Sequence, residues 1–145
     1  MKEMISTAVG VVGAAISAAF GGWDGMMVTL VIFLAADYLT GLIVAGLFHK
    51  SPKSENGALE SRAGWKGLVR KCGTLLCVLI ANRVDLVLNV TYFHDMAVIG
   101  FITNELISLV ENLGLMGVRL PKAFTKAVDI LQEKAEEEDK SEEGE

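Results

Sequence analysis

Residues 26–48 are almost all apolar, and at 1.5 Å per residue the run is long enough to cross a bilayer as a helix. Near its middle stands Asp37. A carboxylate at that depth costs roughly 2.5–3.5 kcal/mol on insertion scales, so the side chain is expected to face protein or water rather than lipid. Thr40, Gly41 and Ala45 follow at offsets of three, four and eight residues and make the same face small and polar. One side of this helix seeks partners, and the other seeks lipid.

A chain of 145 residues that is 52% hydrophobic with a mean hydropathy of +0.44 is too apolar for an ordinary soluble domain. The net charge of −5 belongs to the end of the chain. Residues 133–145 hold eight acids and two bases, which leaves ten acids and eleven bases before them. That end reads as an acidic disordered tail. Cys72 and Cys77 lie in an apolar run without His or Cys neighbours, so neither a disulfide framework nor a metal site is expected.

Further apolar segments fall at 4–20, 72–90 and 96–114. In the first, Ser6, Gly10, Ala14, Ala18 and Gly22 recur every fourth residue and draw a smooth stripe on which another backbone can pack closely. This segment admits three readings, which stay open. It is a short span, or a helix lying on or moving into the membrane, or a secretory leader with a Ser17-x-Ala19 cleavage pattern that lacks a polar mature domain behind it. Gly21, Gly22, Trp23, Asp24 and Gly25 signal a tight turn, so the first two helices are expected to form an antiparallel hairpin. The connection 49–71 carries six Lys or Arg against two Glu, which marks it as a cytoplasmic loop. It lies between hydrophobic runs and shows no nucleic-acid-binding motif, so no nucleic-acid partner is expected.

The segment 96–114 is apolar but carries a polar line. Asn104, Ser108 and Glu111 share one side of a helix, with Glu105 and Asn112 bordering it. Such a line is sensible only against other helices or water, and serves either interhelical hydrogen bonding or the lining of an aqueous opening. Pro121 suits the start of a short amphipathic helix over 122–132, with Phe124, Val128 and Leu131 on its apolar edge. Arg119, Lys122 and Lys126 place it beside the cytoplasmic headgroups. The fold class is thus an all-α membrane protein: a single membrane domain over 1–132, built as a bundle of three to four transmembrane helices. With four crossings both termini lie in the cytoplasm. No catalytic constellation, phosphate-binding loop or cofactor fingerprint is present in the sequence, so an enzyme is not expected.

Three blocks carry a resemblance. Asp37–Gly41 (DYLTG) with Ala45, Ser61–Lys71 (SRAGWKGLVRK) and Asn104–Gly114 (NELISLVENLG), followed by Met116, Gly117 and Pro121, resemble the toxin-secretion and phage-lysis holin family in order and spacing from about residue 26 to 131. The resemblance implies a protein of the bacterial cytoplasmic membrane that forms homo-oligomers and abruptly opens lesions. A cell-wall hydrolase then reaches the peptidoglycan, with no direct binding between the two implied, and in some relatives large toxins are released. On that reading the Asp37 side and the Asn104–Glu111 line are expected to be buried in a resting oligomer and wetted in an open one. Holins often use two translation starts, and Met1 and Met4 would give products differing by three residues. The rival readings are a small ion- or proton-coupled carrier built on an intramembrane carboxylate, and a docking subunit that is harmless alone.

Overall fold

The computed structural model describes residues 1–143, with side chains through residue 137 and at Lys140. All regular structure among them is helical: α1 Lys2–Ala19, α2 Gly25–Gly46, α3 Ser61–Leu88, α4 Phe93–Leu115 and α5 Lys122–Glu143. Of these, α1, α2 and α4 are long and apolar enough to cross a membrane. Helix α3 falls outside that set; it carries Lys71 and Asp85, which bond to the neighbouring helices, and the exposed Arg83.

The chain enters α2 through Asp24, whose carboxylate accepts a hydrogen bond from the Met27 amide at 2.9 Å and caps the helix. From there Met27, Leu30, Leu34 and Asp37 recur at three- and four-residue spacing and all are buried. The first three meet Val78 of α3 and Val98 and Ile102 of α4, and these six side chains form the apolar core. Because Asp37 continues the same line, the core passes directly into a polar cluster one turn further along. Helix α4 is the hub, packing on α2, α3 and α5.

Three expectations need correction. The basic connection is shorter than 49–71, because Ser61–Lys71 is already helical and forms the first turns of α3. The positive charges there decorate a helix end rather than a loop. The first two helices do not form a packed hairpin. Helix α1 touches α3, at its end, where the Asn82 side chain donates to the Ala19 carbonyl at 2.8 Å. Gly21, at φ +83°, lies so near Asn82 that a Cβ would stand 2.6 Å from its Oδ1, so the turn requires glycine. Finally, α5 does not stop at residue 132. It runs on through Glu143, so the first eleven residues of the supposed disordered tail are helical, and residues 144–145 lie outside the described residues. Helix α5 packs along α4, and Leu131 reaches the apolar core while Phe124 is exposed. Its poorly apolar sequence gains there a surface that an isolated amphipathic helix lacks.

At the opposite end, Asn89 closes α3 in the left-handed conformation that Asn tolerates. The buried Asp85 then reaches across the turn and accepts from the Phe93 and His94 amides at 3.0 and 2.9 Å. This supplies the first turn of α4 with the acceptor that its own cap residue, Tyr92, lacks. Asp85→Ala is expected to lower stability in detergent by about 1–2 kcal/mol and to speed amide exchange at Phe93 and His94. Unchanged exchange at those two amides would remove the capping role.

Candidate functional site: a buried ion cluster

The polar end of the core is built on Lys71. Its Nζ donates to Asp37 Oδ2 at 2.7 Å and to Glu105 Oε2 at 2.6 Å, so one ammonium on α3 ties a carboxylate on α2 to another on α4. Asp37 and Glu105 are buried, and the Lys71 side chain is only 14% exposed. Asn112 completes the joint from the next turns of α4. Its Nδ2 lies 3.0 Å from Asp37 Oδ1 and 3.0 Å from Thr40 Oγ1, and the Thr40 hydroxyl donates onward to the Ala36 carbonyl at 2.8 Å. Gly41 lies beside this amide, where a Cβ would stand in ordinary contact, 3.9 Å from Asn112 Nδ2. Lys53, from the connection 47–60, comes to 4.0 Å of Asp37 Oδ2 with its side chain half exposed. Two acids thus meet two cations, one buried and one at the rim.

A lone charge in a medium without water is costly, and a pair repays that cost only when its geometry is good and its remaining lone pairs are satisfied. Here Asp37 meets that demand through Lys71 and the Asn112 amide together. What the arrangement does in this structure is tie α2, α3 and α4 together through one ammonium.

The structure divides the residues singled out by sequence. It brings together Asp37, Thr40, Gly41, Glu105 and Asn112. It does not place Asn104 and Glu111 in that cluster: both are exposed and line a cleft beside it, while the half-buried Ser108 lines the same cleft within reach of Asp37. The residues that border the polar line are the inward ones. Among the described residues the α1 stripe finds no partner, since Ser6, Gly10, Ala14 and Ala18 are exposed and only Gly22 is half-buried. Sequence reasoning missed Lys71 by ending a charged loop on it. The signal was available as spacing, because Lys71, Leu75, Val78, Asn82 and Asp85 continue one helical line.

The three sequence blocks converge on this site. The first gives Asp37, Tyr38 and Thr40, the second Gly64, Gly67 and Lys71, and the third Glu105 and Asn112. Gly64 and Gly67 pass beneath the Tyr38 side chain, where added Cβ atoms would meet it at 3.8 and 3.7 Å, so α3 comes close to α2 at the level of the ion cluster.

Fold and site together define a small helical membrane protein whose polar core is structural. A family model, that of the bacteriophage holin family, matches residues 14–133. The chain is 34% identical over 130 residues to an uncharacterized protein of Listeria innocua, covering 88% of this chain and 86% of that one. It is 36% identical over 117 residues to an uncharacterized 14.9 kDa protein encoded in the nagH 3′ region of Clostridium perfringens, covering 79% and 83%. To the probable holin of Bacillus phage phi105 it is 32% identical over 110 residues, covering 72% and 76%. No solved structure matches. The chain belongs to the bacteriophage holin family.

If Lys71 carries the joint, Lys71→Met leaves two buried acids without their shared cation. It is expected to cost about 3–5 kcal/mol of stability in detergent, whereas Lys66→Met, on the exposed side of α3, stays within about 0.5 kcal/mol. Equal effects of the two substitutions, read by thermal unfolding, would deny Lys71 its special place.

Proposed function

We propose that this chain is a holin in action as well as in family: it collects in the bacterial cytoplasmic membrane, associates with copies of itself and opens lesions that let a cell-wall hydrolase reach the peptidoglycan. The observation that carries the reading is the family match over residues 14–133, a range that includes the ion cluster. Helix α1 supplies a lateral surface, apolar and exposed along its length with small residues on one side. In the resting assembly the charges are neutralised within each protomer rather than between protomers. Opening then works against the Lys71 joint, because parting α3 from α2 and α4 lets water take over its hydrogen bonds.

The proposed topology has four crossings and both termini in the cytoplasm. The basic residues at the start of α3 and Arg119, Lys122 and Lys126 support it, since all cluster at the ends that would face inward. In a bilayer α5 must then leave its place along α4, because its exposed Asp129, Glu133 and Glu136 would otherwise stand in hydrocarbon. A cysteine placed by Leu131→Cys and labelled only from outside the cell would sink this topology.

The carrier reading requires a carboxylate free to take up an ion, and the Lys71 pairing of both Asp37 and Glu105 favours the holin reading over it. Induction of the chain alone is expected to collapse the membrane potential abruptly after a delay, with lysis only when a cytoplasmic cell-wall hydrolase is co-expressed. Asp37→Asn and Glu105→Gln, at equal expression, are expected to shift the time of collapse. Continued growth with an intact potential, and the protein confirmed in the membrane, would sink the proposal. Unaltered timing in both variants would detach the ion cluster from opening.

A further inference from the structure

A cavity of about 520 Å³ lies beside the ion cluster, between α3 and α4. One wall is Lys66, Arg70 and Thr74, spaced four residues apart on α3, and the facing wall is Asn104, Ser108 and Glu111 on α4. Each wall is a helix face, so the cavity is a built cleft rather than a gap under a loop. Its lining carries four bases, Lys53, Lys66, Arg70 and Lys71, against three acids, Asp37, Glu105 and Glu111. Lys71 and Lys53 are engaged by the buried acids. Among the described residues Lys66 and Arg70 form no ion pair, and one positive charge is left without a counterion on the chain.

Depth decides what can supply that counterion. From Leu88 at the far end of α3, Arg70 lies about 27 Å back along the helix at 1.5 Å per residue, close to the ~30 Å hydrocarbon thickness. Lys66 stands one turn further out. On the four-crossing topology proposed above, on which this inference rests, Arg70 and Lys66 sit at the boundary where phosphodiester groups of lipids lie, and Phe101 and Ile107 add apolar surface to the same cleft.

We propose that this cleft is a binding site for one anionic phospholipid, with the phosphodiester held by Arg70 and Lys66 and the acyl chains leaving past Phe101 and Ile107 into the bilayer. Phosphatidylglycerol fits the remaining groups. Its single negative charge balances the excess, and its glycerol hydroxyls can donate to Glu111 and the Asn104 carbonyl oxygen. A zwitterionic headgroup brings no net charge and leaves the excess in place. A free phosphate makes no use of the apolar lining. The bound lipid would lie against α3 and α4 beside Lys71, so its presence bears on the same joint that holds the bundle.

The test uses the full chain, reconstituted in vesicles that mix phosphatidylglycerol with phosphatidylcholine, extracted gently and weighed with its retained lipid by native mass spectrometry. One phosphatidylglycerol per chain is expected. Lys66→Gln and Arg70→Gln should each weaken retention about fivefold, the effect of one cation at a membrane surface. Arg62→Gln and Lys122→Gln, which do not line the cleft, should leave it unchanged, and Arg70→Lys should restore part of the loss. All these positions are exposed, so the fold is not at stake. Equal losses from all four glutamine variants would reduce the effect to general charge attraction and overturn the site. Equal retention of phosphatidylcholine would overturn the charge argument, and displacement of the lipid by inorganic phosphate would reassign the cleft to a soluble anion.

Discussion

One ammonium shared by two carboxylates governs this structure. Lys71 stands where three membrane-length helices would otherwise bring Asp37 and Glu105 together in an apolar interior, at 2.7 and 2.6 Å from each. Without it the two acids would repel one another and each would need another partner for its charge. With it, α3 can occupy only one height and one rotation against α2 and α4. The apolar core at one side of the cluster and the Asn112–Thr40 hydrogen bonds at the other then follow from helices already in register. At the far end Asp85 does for α4 what Lys71 does for α2, joining two helices through a side chain of α3.

Much of the bundle was legible in the sequence, because hydrophobic runs of membrane length leave little freedom. The ends of α2 and α4 fall within a few residues of the expected segments, and Asp37 faces protein as its insertion cost requires. What failed has one physical cause: polar residues do not announce their partners. Along α4, Asn104 and Glu105 differ by one step of helix rotation, and both are polar. Only the position of Lys71 on another helix decides that Glu105 turns inward and Asn104 outward. The same ambiguity hid Lys71 itself, since a lysine after a basic stretch looks like loop until the spacing to Val78, Asn82 and Asp85 is followed. Helix α5 shows the converse, where a sequence of low hydropathy and high charge is held helical along the face of α4.

Function meets stability at the same place. The residues that carry the family resemblance build the joint, an interaction whose strength depends on how far water is kept from it. On the proposed function such a contact would give way cooperatively, because water admitted to one hydrogen bond weakens the others. The cleft beside it is lined by Lys66 and Arg70 of α3 and by Asn104 and Glu111 of α4. Helix α1 stands apart, fastened at one end by Asn82 and exposed elsewhere, and is free to make contacts outside the protomer.

The most direct test of this account is a double-mutant cycle between Lys71→Met and the paired neutral variant Asp37→Asn/Glu105→Gln, read as unfolding free energy in one detergent. If the three groups act as a unit, removing the acids should offset much of the cost of removing the cation, with a coupling energy of about 1–3 kcal/mol. Effects that add to within about 0.5 kcal/mol would mean that the groups stabilise the protein independently, and the bundle would then owe its register to the apolar core alone.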